Sequence, residues 1–180
     1  MRNINASIDI INVFVFQSGD LTVIGILVDA DLILELLMNR NQLLEDISEL
    51  FDQAQPLIKM YVTDFGWEKI CAYANRFQNS HIAQLVIDWL KEKVDVCTVD
   101  KNVLQQARLS PIQDFESAVE YACAMYQEFY AVVTHRYQDF VTAPEQFLIW
   151  SVADLQTRTS LEAQYQATTV NFSKTERYSC

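Results

Sequence analysis

A chain of 180 residues, 51% hydrophobic and 21% charged, suits a single domain with a substantial core. Three glycines and three prolines are too few for a sandwich of tight turns and favour helices. The net charge of −11 withholds the basic face expected of a protein that grips nucleic acid by neutralising phosphates, unless divalent cations screen the acids at the contact; it suits a basic protein partner instead.

Residues 1–22 read as an N-terminal extension or an added edge strand closed by a turn at Gly19. No basic stretch followed by an apolar core and cleavage site marks a signal peptide. The β-branched run Val23–Val28 suits a strand buried on both faces, and helical spacing follows to Arg40. Asp29, Asp31 and Glu35 make this stretch a poor membrane span. Leu43, Leu44, Ile47, Leu50, Phe51 and Ala54 form a helical stripe ended by Pro56. "LIKMYVT" is a strand, and "DFGWEKICAYANRF" returns to helix. Asn79 or Ser80 caps the next helix, whose stripe is Ile82, Leu85, Val86, Trp89 and Leu90. "VDVCTVD" is a strand and "KNVLQQARL" a short helix.

The stretch "SPIQDFESAVEYACA" carries a capping-box pattern: Ser110 as cap, Pro111 at the first position, Gln113 at the third. The buried stripe expected there is Phe115, Ala118, Val119, Ala122, Met125, Tyr126 and Phe129. "AVVTHRYQDF" gives a strand and a loop, "EQFLIW" a last strand, and Ser151 caps a final helix. Residues 163–180 are polar and read as a loose tail, leaving a domain over 23–162. Strands alternating with helices imply a parallel sheet covered on both faces.

Ligands of such sheets bind beyond the carboxyl ends of the strands. Asp29 and Asp31, Asp64 and Glu68, Asp100, Asp114 and Glu116, and Asp139 all fall at that edge. Converging carboxylates raise one another's pKa unless a cation compensates, and hard cations prefer oxygen ligands. The plainer alternative is that each acid caps a helix. Four cysteines, Cys71, Cys97, Cys123 and Cys180, include no CxxC pair and argue against structural zinc. Three lie in apolar segments and read as buried free thiols of a reducing cytoplasm. His81 and His135 read as surface or cap residues, and Trp89 and Trp150 as core. Trp67, beside the acidic edge, is the candidate for stacking on a base. Lys69, Arg76, Arg108 and Arg136 are the cations able to meet a phosphate.

With "ILVDADL", "YVTDFGWEKI", "DFESAVEYACA" and "AVVTHRYQDF" in this order, the chain from about Ile26 to Leu155 resembles the PIN domain family. The resemblance implies a three-layer α/β/α sandwich of flavodoxin-like form with a parallel sheet of about five strands. It implies metal-dependent cleavage of RNA, with Mg²⁺ or Mn²⁺ held by Asp29, Asp114 and Asp139, assisted by Glu68 and Glu116. Asp29, Asp114 and Asp139 are then catalytic, and Thr63, Thr134, Arg136 and Trp67 face the substrate. A toxin of a toxin–antitoxin pair, a basic antitoxin partner, a homodimer and a cytoplasmic location come with the same resemblance; a membrane does not.

Three positions depart from the family pattern. Ser117 stands where the third motif has its ligand Asp. Glu68 lies five residues after Thr63 where the family more often has six, and the sixth is Lys69. Arg136 stands where the family often has Asn. These departures motivate a second reading, a weakened PIN-like domain that binds RNA or protein. A third is a phosphatase of the haloacid dehalogenase type, with Asp29 as nucleophile and Asp31 as acid in "LVDADL".

Overall fold

The computed structural model describes residues 23–38, 43–55, 57–76 and 80–175. The readings for residues 1–22, for Pro56 and for Asn79 lie outside the described residues.

Five strands, β1 (Ile24–Val28), β2 (Ile58–Thr63), β3 (Val94–Cys97), β4 (Ala131–Val133) and β5 (Leu148–Trp150), pair in the order β3-β2-β1-β4-β5. Every pairing is parallel. Among the described residues, seven α-helices join and follow them, with a 3-10 turn at Tyr137–Phe140: α1 (Ala30–Met38), α2 (Leu43–Ala54), α3 (Asp64–Ala74), α4 (Ser80–Lys93), α5 (Lys101–Leu109), α6 (Phe115–Tyr126) and α7 (Val152–Thr175). Parallel strands need crossovers, and these helices supply them on both faces of the sheet.

Side chains alternate along β1, so the sheet feeds two cores. Ile26 and Val28 enter one core with Ile33 and Leu37 of α1, Leu50 and Phe51 of α2, Ile70 of α3, Leu90 of α4 and Leu155 of α7. Leu27 enters the other with Val103 and Ala107 of α5 and Ala118, Ala122 and Cys123 of α6. The three-layer arrangement expected from the alternating elements is therefore the one observed.

Gly66 sets how closely α3 approaches α1. A Cβ built there would stand 2.8 Å from the Ala30 Cβ and 3.0 Å from Val62 Cγ2. Thr63 caps this helix, its Oγ1 accepting from the Gly66 N–H at 3.0 Å.

Local expectations fail in four places. Ser110 does not start a helix: it ends α5, and its Oγ accepts from Ile112 N at 3.0 Å. The cap of α6 is Asp114, whose Oδ2 accepts from Ser117 N at 2.8 Å. A charged acceptor makes the stronger bond, so the helix starts at Phe115 rather than Pro111. The face of α6 shifts with it. Ser117 to Glu120 and Ala122 to Ala124 are buried, while Phe115, Met125 and Tyr126 are exposed. Small residues let α6 lie close to the sheet and leave the large ones outside. Leu85 of α4 is likewise exposed. Finally, α7 continues through the polar stretch expected as a loose tail, reaching Thr175. Ser151 does cap it, in a reciprocal pair with Asp154: Asp154 N donates to Ser151 Oγ at 2.9 Å, and Ser151 N donates to Asp154 Oδ2 at 2.8 Å. Among the described residues no helix is long and apolar enough to cross a membrane.

Candidate carboxylate centre

From β1 the chain winds outward through β2 to β3, and from β4 outward to β5. The direction of winding reverses between β1 and β4, which opens a crevice at their carboxyl ends. Asp29 ends β1 there, and Thr134 ends β4; Asp29 N donates to Val133 O at 2.9 Å, extending the ladder by one residue.

Asp29 is completely buried. Its Oδ2 accepts from Thr134 Oγ1 at 2.7 Å and from Arg136 Nε at 3.1 Å. Its Oδ1 accepts from Arg136 Nη2 at 3.2 Å and from Asp31 N at 2.8 Å. The guanidinium thus grips Asp29 with two N–H groups, the geometry that favours Arg at buried carboxylates. Arg136 is oriented in turn by Thr134, whose Oγ1 accepts its backbone N–H at 2.9 Å.

The same guanidinium lies 3.3 Å from Asp31 and 3.9 Å from each of Asp114, Glu120 and Asp139. Five carboxyl groups therefore surround one internal cation. A second cation sits beside it. Lys69 Nζ is 2.5 Å from Asp31 and 2.8 Å from Glu116 Oε1. Burial works against the charge on Arg136, but Asp29, Glu120 and Asp31 outweigh it and hold the guanidinium proton beyond its usual strength. Lys69 behaves alike: burial opposes its charge, and Asp31 and Glu116 raise its pKa nonetheless.

Ser117 is fully buried and donates from Oγ to Asp139 Oδ2 at 3.3 Å. Asp114 stays well ionised: the Ser117 N–H lowers its pKa, against burial, with help from Arg136 and Lys69. Glu120 is the opposite case. Burial first, then the negative charge of Asp29, push its pKa well up, and Arg136 offsets only part of this. Its Oε2 has no hydrogen-bond partner among the described residues. A protonated Glu120 relieves that conflict, since an O–H next to Asp29 replaces a like-charge contact.

Not every expected residue joins this centre. Glu68 is exposed and makes no ion pair among the described residues, because the helix turns about 100° per residue and brings Lys69 inward in its place. Trp67 is half-buried against the larger core. Thr63 is spent on the α3 cap. Asp64 accepts from Phe65 N at 2.9 Å and Val99 N at 3.1 Å, and Asp100 caps α5 through Asn102 N and Val103 N. His135 pairs with Glu35 at 3.3 Å. Glu120 escaped the sequence reading; its signal was an acid inside the apolar run "SAVEYACA", one helical turn after Glu116.

A divalent ion such as Mg²⁺ asks for oxygen ligands in a near-octahedral shell at about 2.0–2.1 Å. The donors around Asp29 have the right chemistry, but both Asp29 oxygens and the space among the acids are taken by Arg136. Among the described residues no group of three or more acid, His or Cys side chains is placed to hold a metal ion. As arranged, the centre does not fit the ion.

The sequence matches no protein-family model and no curated protein. Solved structures do match. A chain of DNA-bound VapBC from Salmonella typhimurium superposes with a TM-score of 0.56 at 14% identity, covering 72% of this chain and 98% of that one. Chains of VapBC2 from Rickettsia felis, bound to a promoter DNA fragment, and of VapBC-1 from nontypeable Haemophilus influenzae give 0.54 at 5% identity and 0.53 at 13%. Each covers 71% of this chain and 98% of the other. Identity this low speaks to fold alone. On that ground the described chain shares the fold of these chains, a parallel α/β/α sandwich, and it carries an acidic crevice between β1 and β4.

Proposed function

We propose that this is a PIN-like domain whose acidic centre is closed by its own cations, and that it works as a protein-binding module of a toxin–antitoxin type of pair rather than as a metal-dependent ribonuclease. One observation carries the reading: the Arg136 guanidinium lies within 3.9 Å of five carboxyl groups. Two of the departures from the family pattern, Lys69 and Arg136, are the two cations found inside the centre. The third, Ser117, removes a carboxylate from it. Together they exchange a metal-binding charge pattern for an internally neutralised one, which favours a structural centre over a catalytic one. The toxin–antitoxin complexes among the structural neighbours support a protein partner, and a net charge of −11 favours a basic one.

One observation favours the alternative, hydrolysis of RNA phosphodiesters with Mg²⁺ or Mn²⁺. Asp29, Asp31, Asp114, Glu116 and Asp139 outnumber Arg136 and Lys69, so negative charge remains at the mouth to draw a further cation. Calorimetric titration of Mn²⁺ into the full chain, beside an Asp29→Asn, Asp139→Asn variant and with an RNA cleavage assay on both, separates the two. No saturable heat and no Mn²⁺-dependent cleavage by the unaltered chain is the expected result. Saturable binding with cleavage, both lost in the variant, would replace the binding-module reading with the nuclease.

A further inference from the structure

We infer that Cys97 and Cys123 are a built-in disulfide site, oxidised as a pair by a small hydroperoxide, which ties the edge strand β3 to α6. Cys97 closes β3, and Cys123 lies in the second half of α6. Their sulfurs are 3.2 Å apart. Both side chains are buried, with 6% and 0% exposure. A disulfide needs about 2.05 Å between sulfurs, so the pair must close by only about an ångström. Two cysteines placed face to face across a strand and a helix differ from ordinary core thiols, which pack against carbon.

Their contact makes one thiol easier to ionise than the other. Cys97 Sγ also lies 3.4 Å from Val62 O, which competes with Cys123 for its single proton. Contact with Cys123, together with burial, pushes the Cys97 thiol up, whereas the hydrogen bond from Cys97 lowers the Cys123 thiol. Of the two, Cys123 is therefore the one that ionises more readily when the pair reacts. Access comes from the edge position of β3, which pairs with β2 alone in the sheet; its exposed Val96 marks the open side. Edge strands open locally at low free energy, and a peroxide is small enough to enter.

The chemistry balances without any further reactant. The Cys123 thiolate attacks one peroxide oxygen; an S–O bond forms, the O–O bond breaks, and hydroxide leaves. The product is a sulfenic acid on Cys123. Cys97 then attacks that sulfur; the S–S bond forms, the S–O bond breaks, and the hydroxyl leaves as water with the Cys97 proton. Hydroxide takes up the proton first lost by the pair. Two thiols and one hydrogen peroxide give one disulfide and two waters, the sulfurs losing two electrons to the peroxide. The bridge joins residues 26 apart, enclosing all of α5 and the first turns of α6 with Asp114, Ser117 and Glu120. This inference stands whichever function the carboxylate centre has.

The test uses the folded full chain with Cys71→Ser and Cys180→Ser, so that only the pair remains. Hydrogen peroxide is added, excess thiol is blocked, and tryptic peptides are weighed. The expected product links the peptide 94–101 to the peptide 109–136. Its formation should raise Tm by on the order of 10 °C, as restriction of a loop this long predicts, and dithiothreitol should reverse the rise. Separate sulfinic acids on the two cysteines would overturn the inference. So would a linkage that forms only in denaturant. Because the readout is made on the native pair, no variant at Cys97 or Cys123 has to fold.

Discussion

Replacing Arg136 with Met keeps an unbranched apolar stem of similar reach to the Arg methylenes and deletes the guanidinium. Asp29, with 0% exposure, then retains only the Thr134 hydroxyl at 2.7 Å and the Asp31 N–H at 2.8 Å. Removing one partner of a buried ion pair costs about 3–5 kcal/mol. Arg136 keeps 21% of its side-chain surface in water, and two hydrogen bonds to Asp29 survive, so the expected loss here is about 2–4 kcal/mol. For a chain of this size that lowers Tm by about 5–15 °C. Urea unfolding followed by circular dichroism measures the loss, provided the slope with denaturant is unchanged. A double-mutant cycle sharpens the result. If the loss comes from an uncompensated charge, Asp29→Asn combined with Arg136→Met should cost less than the sum of the two by about 1–3 kcal/mol. A loss below about 0.5 kcal/mol for Arg136→Met, the range of ordinary surface substitutions, would refute the argument that the guanidinium neutralises the centre.

Glu120→Gln tests the buried carboxyl. Its folded pKa is raised above the unfolded value, so its stabilising share is full below about pH 4 and is lost as pH climbs through the folded pKa. Gln should therefore stabilise the protein at about pH 8 and do little near pH 4, as read from thermal melts across pH. Asp114→Asn runs the other way, since the Asp114 pKa is lowered and its contribution exists above its ordinary value. The substitution should destabilise by about 0.3–1 kcal/mol at neutral pH and by progressively less as pH falls through the lowered pKa; Asn still caps the helix, so the mechanism is the loss of negative charge beside the helix N-terminus, Arg136 and Lys69. Gly66→Ala should cost about 1–3 kcal/mol in urea unfolding, because its Cβ would strike the Ala30 Cβ at 2.8 Å rather than a flexible side-chain end. Ser117→Asp with Arg136→Asn returns a carboxylate beside Asp139 and removes the internal cation; this pair of changes should create saturable Mn²⁺ binding in calorimetry, raising stability by about 2.7 kcal/mol at a hundredfold excess over Kd.

The frame of the molecule was written in local patterns. The β-branched run before Asp29, the stripe of α2 and the "LIKMYVT" strand repeat at the period of their element, and the period follows from backbone geometry alone. The edge at which the acids gather was legible too, since the ends of parallel strands share one side of the sheet. The choice among the acids was another matter. Asp64, Asp100 and Asp114 all stand at helix starts; Asp100 and Asp114 cap their helices, Asp64 instead ties the start of α3 to Val99 N, and only Asp114 also reaches the centre. Which acid does which depends on the rotation of each helix about its axis, fixed by packing against the sheet. That rotation turned Lys69 inward and left Glu68 in water. It also buried Glu120 next to Asp29, residues 91 positions apart in the chain that no local spacing relates. Composition and periodicity determined that this chain would build a parallel α/β sandwich with an acidic edge. Only the tertiary structure decided that the edge would hold a guanidinium, because ion pairing at that depth depends on distances of a few ångströms between strands β1 and β4 and helix α6, and sequence separation does not encode those distances.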